Sequence, residues 1–293
     1  MNSLSKTILF GGSGFLGPII LERYPEIVSV GRTQPPPEVK NKHIHFESLD
    51  DLSVLDELDF DKVIFLIGNS NHHQINQSGM MGLDYNVIPI KKALHYLKRR
   101  KLKKFIAFTT ILLYDVDKLK LPADESQPIN PYLNDYVFSK YLQEEVMKFY
   151  KEVPSIAVRL SNIYGPTRLV RPDLVPTLMQ GVLSSRETEV WSIKPERDLI
   201  YAKDAADAVA VLLETDYTGH VNLGAGESRS IGEVVEIIEK LSGKKIKVLD
   251  VPVTGPMKFV TDISLITKLT GWKPKYSLEG GLKETYQIMK MLK

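Results

Sequence analysis

The residues that could do chemistry begin with Tyr136 and Lys140, at the start of an amphipathic segment over 135–151. A spacing of four puts both side chains on one face of a helix. A tyrosine whose pKa is near 10 is a poor acid/base at neutral pH. A lysine ammonium one turn away, together with a cationic nicotinamide ring, would favour the phenolate and lower that pKa. The pair therefore indicates an acid/base site, although such pairs arise by chance in a chain with 13 tyrosines.

A glycine cluster over residues 10–17 lies between the first predicted strand and the first predicted helix. Glycine permits a tight turn and lets backbone N–H groups approach a pyrophosphate, and the following helix N-terminus favours negative charge. The spacing differs from G-x-G-x-x-G, but its place in a βαβ pattern favours a dinucleotide site over a purely structural turn. The cofactor-binding candidates are Gly11, Ser13, Gly14, Phe15, Leu16 and Gly17.

The end of the second strand, Ser29 to Thr33, is where a second ribose is usually bound. A carboxylate there would bind the 2′-hydroxyl of NAD, whereas an arginine favours the 2′-phosphate of NADP. This segment has no carboxylate and contains Arg32. It therefore predicts NADP(H) as the preferred cofactor, with NAD(H) left open.

The elements that must position these residues alternate between short apolar runs and longer amphipathic segments, a pattern typical of a parallel sheet with crossover helices. The predicted fold is α/β, a doubly wound parallel (Rossmann) sheet with a smaller C-terminal α/β substrate lobe. The predicted cofactor domain covers mainly 1–165 and the substrate lobe mainly 166–293, with 197–225 returning to the first domain. The predicted strands are 7–10, 27–30, 43–46, 62–67, 105–109 and 155–160, and the predicted helices are 81–100, 135–151 and 231–241.

Composition narrows the function classes. The chain has 293 residues, a formal net charge of +2 and no cysteine. Disulfides, thiolate catalysis and cysteine-ligated zinc are thereby excluded, and we predict no metal. Charges of both signs are spread along the chain, so we expect no nucleic-acid partner. No apolar run reaches the roughly 20 residues that span a bilayer. We therefore expect no membrane association and a cytoplasmic location.

Ordered motifs over nearly the whole chain carry a family resemblance. Residues 105–114 form a strand that brings hydroxyls to its C-terminal end, where parallel sheets bind ligands. With the other motifs, this strand makes the chain resemble the extended short-chain dehydrogenases of the epimerase/dehydratase family, which modify nucleotide sugars. The matching residues are 11–17, 63–68, Asn86-Val87, Thr109-Thr110 with Tyr114, Tyr136 with Lys140, 159–166 (RLSNIYGP), 197–204 (RDLIYAKD), 222–227 (NLGAGE) and the tail 262–274.

The resemblance implies a role for each matching position. Thr110 corresponds to the catalytic serine or threonine that binds the reacting sugar oxygen, with Tyr136 as the acid/base. Lys140 would bind the nicotinamide ribose and tune Tyr136. Further residues are implied on the cofactor side, namely Ile67, Gly68 and Asn86, and on the substrate side, namely Asn162 and the diphosphate-binding Arg197.

Departures from the family pattern narrow the reaction. Related 4,6-dehydratases carry two carboxylic residues after the active threonine, whereas Ile111 and Leu112 stand here. The resemblance then favours an NADPH-dependent reductase of a 4-keto (deoxy)sugar nucleotide, since Arg32 suggests NADP. The alternative is an NAD-dependent 4-epimerase that acts through a transient ketone. A cofactor-sensing or scaffold protein without turnover is the remote alternative, disfavoured because Thr110, Tyr136 and Lys140 are all present.

Three further expectations concern less typical features. The family often has a second diphosphate-binding arginine before the tail, and only Lys258 is available in that place. Neighbouring side chains on extended chain diverge, which argues against a metal site at His72-His73. The run indicates either a polar pocket wall or a solvated loop. A homodimer through the helices near 81–100 and 135–151 is a family expectation.

Overall fold

The structure is a computed structural model that describes residues 4–169, 171–184, 187–253 and 255–292. Its centre is a parallel sheet of seven strands with the order β11-β6-β5-β4-β1-β2-β3. The strands are β1 (Thr7–Phe10), β2 (Val28–Gly31), β3 (His43–His45), β4 (Lys62–Phe65), β5 (Lys104–Thr110), β6 (Ser155–Leu160) and β11 (Gly219–Leu223). The predicted doubly wound fold is confirmed.

Helices cover both faces of this sheet, which explains why its central strands are almost wholly apolar. On one face, α1 (Leu16–Arg23) and α6 (Ala202–Leu212) pack against side chains such as Leu9 and Ile106. On the other face, α3 (Ile88–Leu97) and α4 (Asp135–Phe149) pack against their neighbours, including Phe65. Successive residues of one strand point to opposite faces, so each strand contributes to both cores.

The segment predicted as one helix over 81–100 has two parts. Leu83–Val87 forms a π-helical turn that continues into α3. A π-turn inserts an extra residue and frequently marks a functional site. Here it buries Asn86 completely and points it toward the end of β4.

The C-terminal part builds a separate apolar core from α5 (Leu174–Leu183), α7 (Ile231–Ser242) and α9 (Leu278–Met291). In contrast, α6 and β11 belong to the central sheet and its layers. The domain boundaries themselves stay a prediction.

The remaining α-helices and strands of the described residues are α2 (His72–Gln77), α8 (Ser264–Thr270), β7 (Asn162–Tyr164), β8 (Glu189–Val190), β9 (Glu196–Arg197), β10 (Leu199–Tyr201), β12 (Arg229–Ser230) and β13 (Lys247–Val248).

The helices of the described residues are short or amphipathic, and none of them is long and apolar enough to span a bilayer.

Candidate active site

A cleft of about 790 Å³ opens at the carboxyl ends of the parallel strands, between the sheet and the C-terminal elements. Ligands bind at this edge in open α/β sheets, because loops from several strands converge there. Most of the predicted site residues line the cleft, namely Gly11, Gly14, Phe15, Leu16, Gly17, Ile67, Gly68, Thr110, Tyr136, Lys140, Asn162 and Arg197.

Thr110, Tyr136 and Lys140 meet at the floor of the cleft. Thr110 is the last residue of β5, and the other two lie on successive turns of α4. This helix begins where the Asn134 side chain accepts a hydrogen bond from the Val137 amide at 3.0 Å. Lys140 Nζ donates to the Phe108 carbonyl at 3.3 Å and lies 5.9 Å from the centre of the Tyr136 ring. The end of β5 and the start of α4 therefore bring the three predicted catalytic residues together.

Burial is the main cause of the pKa shifts of Tyr136 and Lys140. It raises the pKa of Tyr136 to about 12, although the neighbouring Thr110 hydroxyl acts to lower it. Burial also lowers the pKa of Lys140 to about 8. In the protein alone, burial therefore outweighs any effect of Lys140 on the Tyr136 pKa, because desolvation disfavours both charged forms. The lowering expected from Lys140 together with a cationic nicotinamide ring stays a prediction.

Asn86 links the cofactor side of the cleft to the catalytic helix. Its carbonyl oxygen accepts from the Asn69 amide at 2.8 Å, and its amide donates to Ser139 Oγ at 2.9 Å. Ser139 in turn donates to the Tyr136 carbonyl at 2.8 Å. A Cβ at Gly68 would lie 2.9 Å from the Asn86 carbonyl oxygen, so only glycine fits beside it. Asn86 is thus a buried brace rather than a residue of the cleft surface.

The glycine loop fits a dinucleotide pyrophosphate. Gly11 has φ +90°, a conformation that side chains disfavour. A Cβ at Gly17 would lie 2.5 Å from the Gly11 carbonyl, so this glycine lets α1 approach the loop closely. Because these positions carry no side chains, a phosphate could approach the backbone closely where α1 begins, as such a site requires. Ser13 lies in the same loop but outside the residues that line the cleft.

Arg32 is exposed after β2, and it makes no ion pair or hydrogen bond within the residues that the structure describes. It also lies outside the lining of the cleft. A free, exposed guanidinium is compatible with a 2′-phosphate ligand, and this role stays a prediction.

On the substrate side, Arg197 is half-buried in the cleft, and burial lowers its pKa. Its guanidinium donates to the carbonyls of Glu196 and Pro256, at 2.9 Å and 3.0 Å. It forms no ion pair among the described residues. Asp198 and Asp204, the nearby carboxylates of the same motif, do not pair with it, since both accept backbone amides instead.

The other two predicted substrate residues differ in position. Asn162 lines the cleft and donates to the Asp198 carbonyl at 3.1 Å. Lys258 lies outside the cleft lining and forms an ion pair with Glu196 at 2.7 Å. The structure thus gives Lys258 a carboxylate partner and no place at the described cleft surface.

The His72-His73 run forms the first turn of α2 rather than extended chain, because the Asn71 side chain caps this helix. The two rings lie 4.2 Å apart, so the expected divergence is wrong. Only His72 of the two lines the cleft. No three His, Asp or Glu side chains cluster as a metal site would need in the part of the chain described.

Sequence reasoning missed Arg171 and Asp173, which line the cleft from the loop before α5. Arg171 Nε donates to Asp173 at 2.7 Å, and its guanidinium lies 4.4 Å from the centre of the Phe15 ring. An aspartate just before an apolar helical segment is a helix-start signal, but nothing in it indicated a place in the cleft.

Comparison with known proteins identifies the family of the chain. Residues 7–224 match the family described as NAD dependent epimerase/dehydratase. An uncharacterized protein of Methanocaldococcus jannaschii is 24% identical over 95% of this chain and 94% of its own length. An Escherichia coli dTDP-4-dehydro-6-deoxyglucose reductase is 30% identical, over 56% of this chain and 55% of its own. A probable GDP-L-fucose synthase of Oryza sativa is also 30% identical, over 55% and 54%. The chain thus aligns with about half the length of these two named enzymes.

Solved structures share the fold. A UDP-glucose 4-epimerase of Thermotoga maritima, determined with UDP-glucose, superimposes with a TM-score of 0.87 at 21% identity, over 98% of this chain and 99% of its own. The family match covers most of the chain and includes the glycine loop, Thr110, Tyr136 and Lys140. The protein therefore belongs to the NAD dependent epimerase/dehydratase family and is an enzyme of the extended short-chain dehydrogenase/reductase type.

Proposed function

We propose that the protein is an NADPH-dependent reductase of a 4-keto (deoxy)sugar nucleotide. The observation that carries this proposal is the meeting of Thr110, Tyr136 and Lys140 in one cleft. Ile111, at 4% exposure, and Leu112 follow Thr110, so the strand end offers no further acid or base. The cleft floor is therefore equipped to protonate a carbonyl oxygen rather than to dehydrate a sugar.

The roles of the residues follow from their chemistry. The hydride for reduction of the keto carbon would come from NADPH when it is bound in this cleft. The Thr110 hydroxyl donates a hydrogen bond to the keto oxygen, and the Tyr136 phenol transfers its proton to that oxygen as the alcohol forms. Burial keeps Tyr136 protonated beforehand, which suits a proton donor. Lys140 would bind the nicotinamide ribose.

The environment of Arg197 favours a substrate that is linked to a nucleotide. A half-buried guanidinium with no carboxylate partner among the described residues suits a diphosphate, because its planar fork binds two oxygens at once. The Escherichia coli relative is named for reduction of a dTDP-linked keto-sugar. These two observations together favour a 4-keto sugar nucleotide as the substrate.

An NAD-dependent 4-epimerase is the second candidate. A UDP-glucuronate 4-epimerase of Thermodesulfobacterium geofontis is 28% identical over 69% of this chain. The same three catalytic residues would serve it, with Tyr136 first removing and then returning a proton. The difference lies in whether the cofactor is released after each turnover.

Two experiments separate the candidates. Mass spectrometry of small molecules released from the denatured protein should find NADP, or no nicotinamide cofactor in a protein that then takes up added NADPH. Tightly held NAD would instead favour the epimerase. NADPH oxidation is then followed with dTDP-4-dehydro-6-deoxyglucose, and epimerisation with UDP-glucose and UDP-glucuronate.

Tyr136→Phe should lower the rate of either reaction by about 10²–10⁴-fold. Tyr141→Phe, on the same helix but outside the cleft lining, is the matched control. Equal activity of the two variants would overturn the mechanism.

We also propose that the protein is a homodimer through α3 and α4. These helices carry exposed apolar side chains, including Ile88 at 39% and Phe138 at 36% exposure, with Leu133 at 54% just before α4. A second copy of the same surface would cover them, as two-fold interfaces do.

A further inference from the structure

Of the histidines that the structure describes, only His72 lines the cleft. It is half-buried at the start of α2, and its ring centre lies 6.1 Å from that of Tyr136. Its imidazole makes no hydrogen bond or ion pair with any residue that the structure describes. An unpaired base is thus placed beside the proposed proton donor, and the reductase mechanism leaves it without a role.

The neighbours of His72 do not replace it. Asp173 also lines the cleft, but its carboxylate is held by Arg171 at 2.7 Å and 2.6 Å. His73 is exposed and outside the cleft lining. Ile111 and Leu112 cannot transfer protons. Among the described residues of the cleft wall, His72 is therefore an unpaired imidazole base whose ring lies close to that of Tyr136.

We propose that His72 is a second proton-transfer residue, which acts on the sugar carbon next to the keto group. This inference rests on the proposed function, because the keto group is what makes that carbon acidic. The neutral imidazole takes the proton from the carbon, and the C–H electrons form a C=C bond as the carbonyl becomes an enolate. Thr110 and Tyr136 hold the enolate oxygen. Return of a proton to the carbon restores the ketone, with no oxidant or reductant consumed.

The surroundings of His72 favour the neutral form that this step needs. Burial and the adjacent His73 lower its pKa, while Asp173 acts in the opposite direction. Among the described residues, the titratable groups that contact or act on it are His73, Tyr136 and Asp173, and Asp173 is itself paired with Arg171. Since Asp173 is already paired with Arg171, its effect on the imidazole is reduced, and His72 remains available as a base near neutral pH.

The test uses hydrogen exchange separated from reduction. dTDP-4-dehydro-6-deoxyglucose is incubated with the protein and NADP⁺ in D₂O, where reduction cannot occur, and deuterium at the ring carbons is followed by NMR. Reduction of the same sugar by NADPH is measured in parallel at saturating substrate. With wild type or His73→Gln present, we expect the sugar to incorporate deuterium next to the keto carbon faster than in buffer alone. In His72→Gln, the ratio of exchange rate to reduction rate should fall about 100-fold or more.

Each other outcome has a definite meaning. Reduction by NADPH with exchange no faster than in buffer overturns the role of His72 and leaves the reductase intact. An unchanged ratio in His72→Gln, or an equal fall in His73→Gln, also overturns it. Absence of both reactions overturns the proposed reductase, and this inference with it.

Discussion

Arg159 and Glu144 form a bidentate ion pair beneath the catalytic floor, with N–O distances of 2.9 Å and 2.8 Å. Both side chains are almost completely buried, at 4% and 2% exposure. Glu144 lies on α4, one turn after Lys140, and also accepts a hydrogen bond from Thr109 at 2.9 Å. The ion pair therefore ties the helix that carries Tyr136 to β6. The hydrogen bond from Thr109 ties the same helix to β5, the strand that carries Thr110.

Removing one partner of this pair should cost much more than removing both. Glu144→Gln leaves a buried guanidinium without its counter-charge, which we expect to lower the free energy of unfolding by about 3–5 kcal/mol. The double variant Glu144→Leu with Arg159→Met should lose less than either Glu144→Leu or Arg159→Met alone. Urea denaturation measures all four variants, and additive losses in the double variant would show that the two charges act independently.

Lys140 should destabilise the cofactor-free protein. Its pKa falls to about 8 when the chain folds, so the unfolded state binds more protons between that pH and the ordinary lysine value of 10.5. The penalty is therefore complete below about pH 8 and disappears as the pH rises toward 10.5. Lys140→Met should raise the free energy of unfolding by about 2–3 kcal/mol at pH 7 and by much less at pH 10.

The pH series of urea denaturations needs a control on the same helix. Lys148→Met removes an exposed lysine of α4, at 63% exposure, and should show no such dependence. A stability gain of Lys140→Met that does not change with pH would contradict the shifted titration.

Arg197 should contribute to substrate binding in a way that its cross-strand neighbour does not. Arg229 pairs with Arg197 in the β9–β12 ladder, but it is bound to Glu227 and lies outside the cleft lining. Arg197→Met should raise the KM for the nucleotide sugar by about 10–100-fold, as expected for loss of a charged hydrogen bond. Arg229→Met should leave KM near the wild-type value. Similar KM values for both variants would place the diphosphate elsewhere.

Arg32 should decide the preference between cofactors. Arg32→Ala removes the exposed guanidinium after β2, so we expect the KM for NADPH to rise about tenfold while that for NADH stays constant. Steady-state kinetics with both cofactors gives the ratio. Arg168→Ala, which removes another exposed arginine, is the control, since Arg168 is paired with Glu38. An unchanged preference in Arg32→Ala would remove its assignment to the 2′-phosphate.

The dimer should depend on the apolar surface of α4. Phe138→Glu would bury a carboxylate between two copies, which costs several kcal/mol unless the charge is paired. Light scattering should therefore report a dimer for wild type and a monomer for this variant. Met291→Glu alters an exposed apolar side chain of α9, at 77% exposure, and should remain dimeric. A monomeric wild type would refute the proposal.

The sequence predicts the geometry of the candidate site best where that geometry depends on local spacing. A glycine turn between a strand and a helix, and a Tyr-x-x-x-Lys pair on one helical face, carry their geometry in the sequence. Residues such as Arg171 and Asp173 could not be found in that way. They reach the cleft because the loop before α5 lies against Phe15, and contacts between distant segments leave no periodic pattern.

The sequence by itself determined the fold class, the order of the main strands and helices, and the family, because strand and helix periodicity and motif spacing are local properties of a chain. Only the tertiary structure decided how far each side chain is buried and which charged group it pairs with. It showed that burial raises the pKa of Tyr136, that Arg197 faces the cleft without a carboxylate, and that Lys258 is paired with Glu196. Burial and ion pairing depend on which segments meet in space, and for these residues the partners come from elsewhere in the fold.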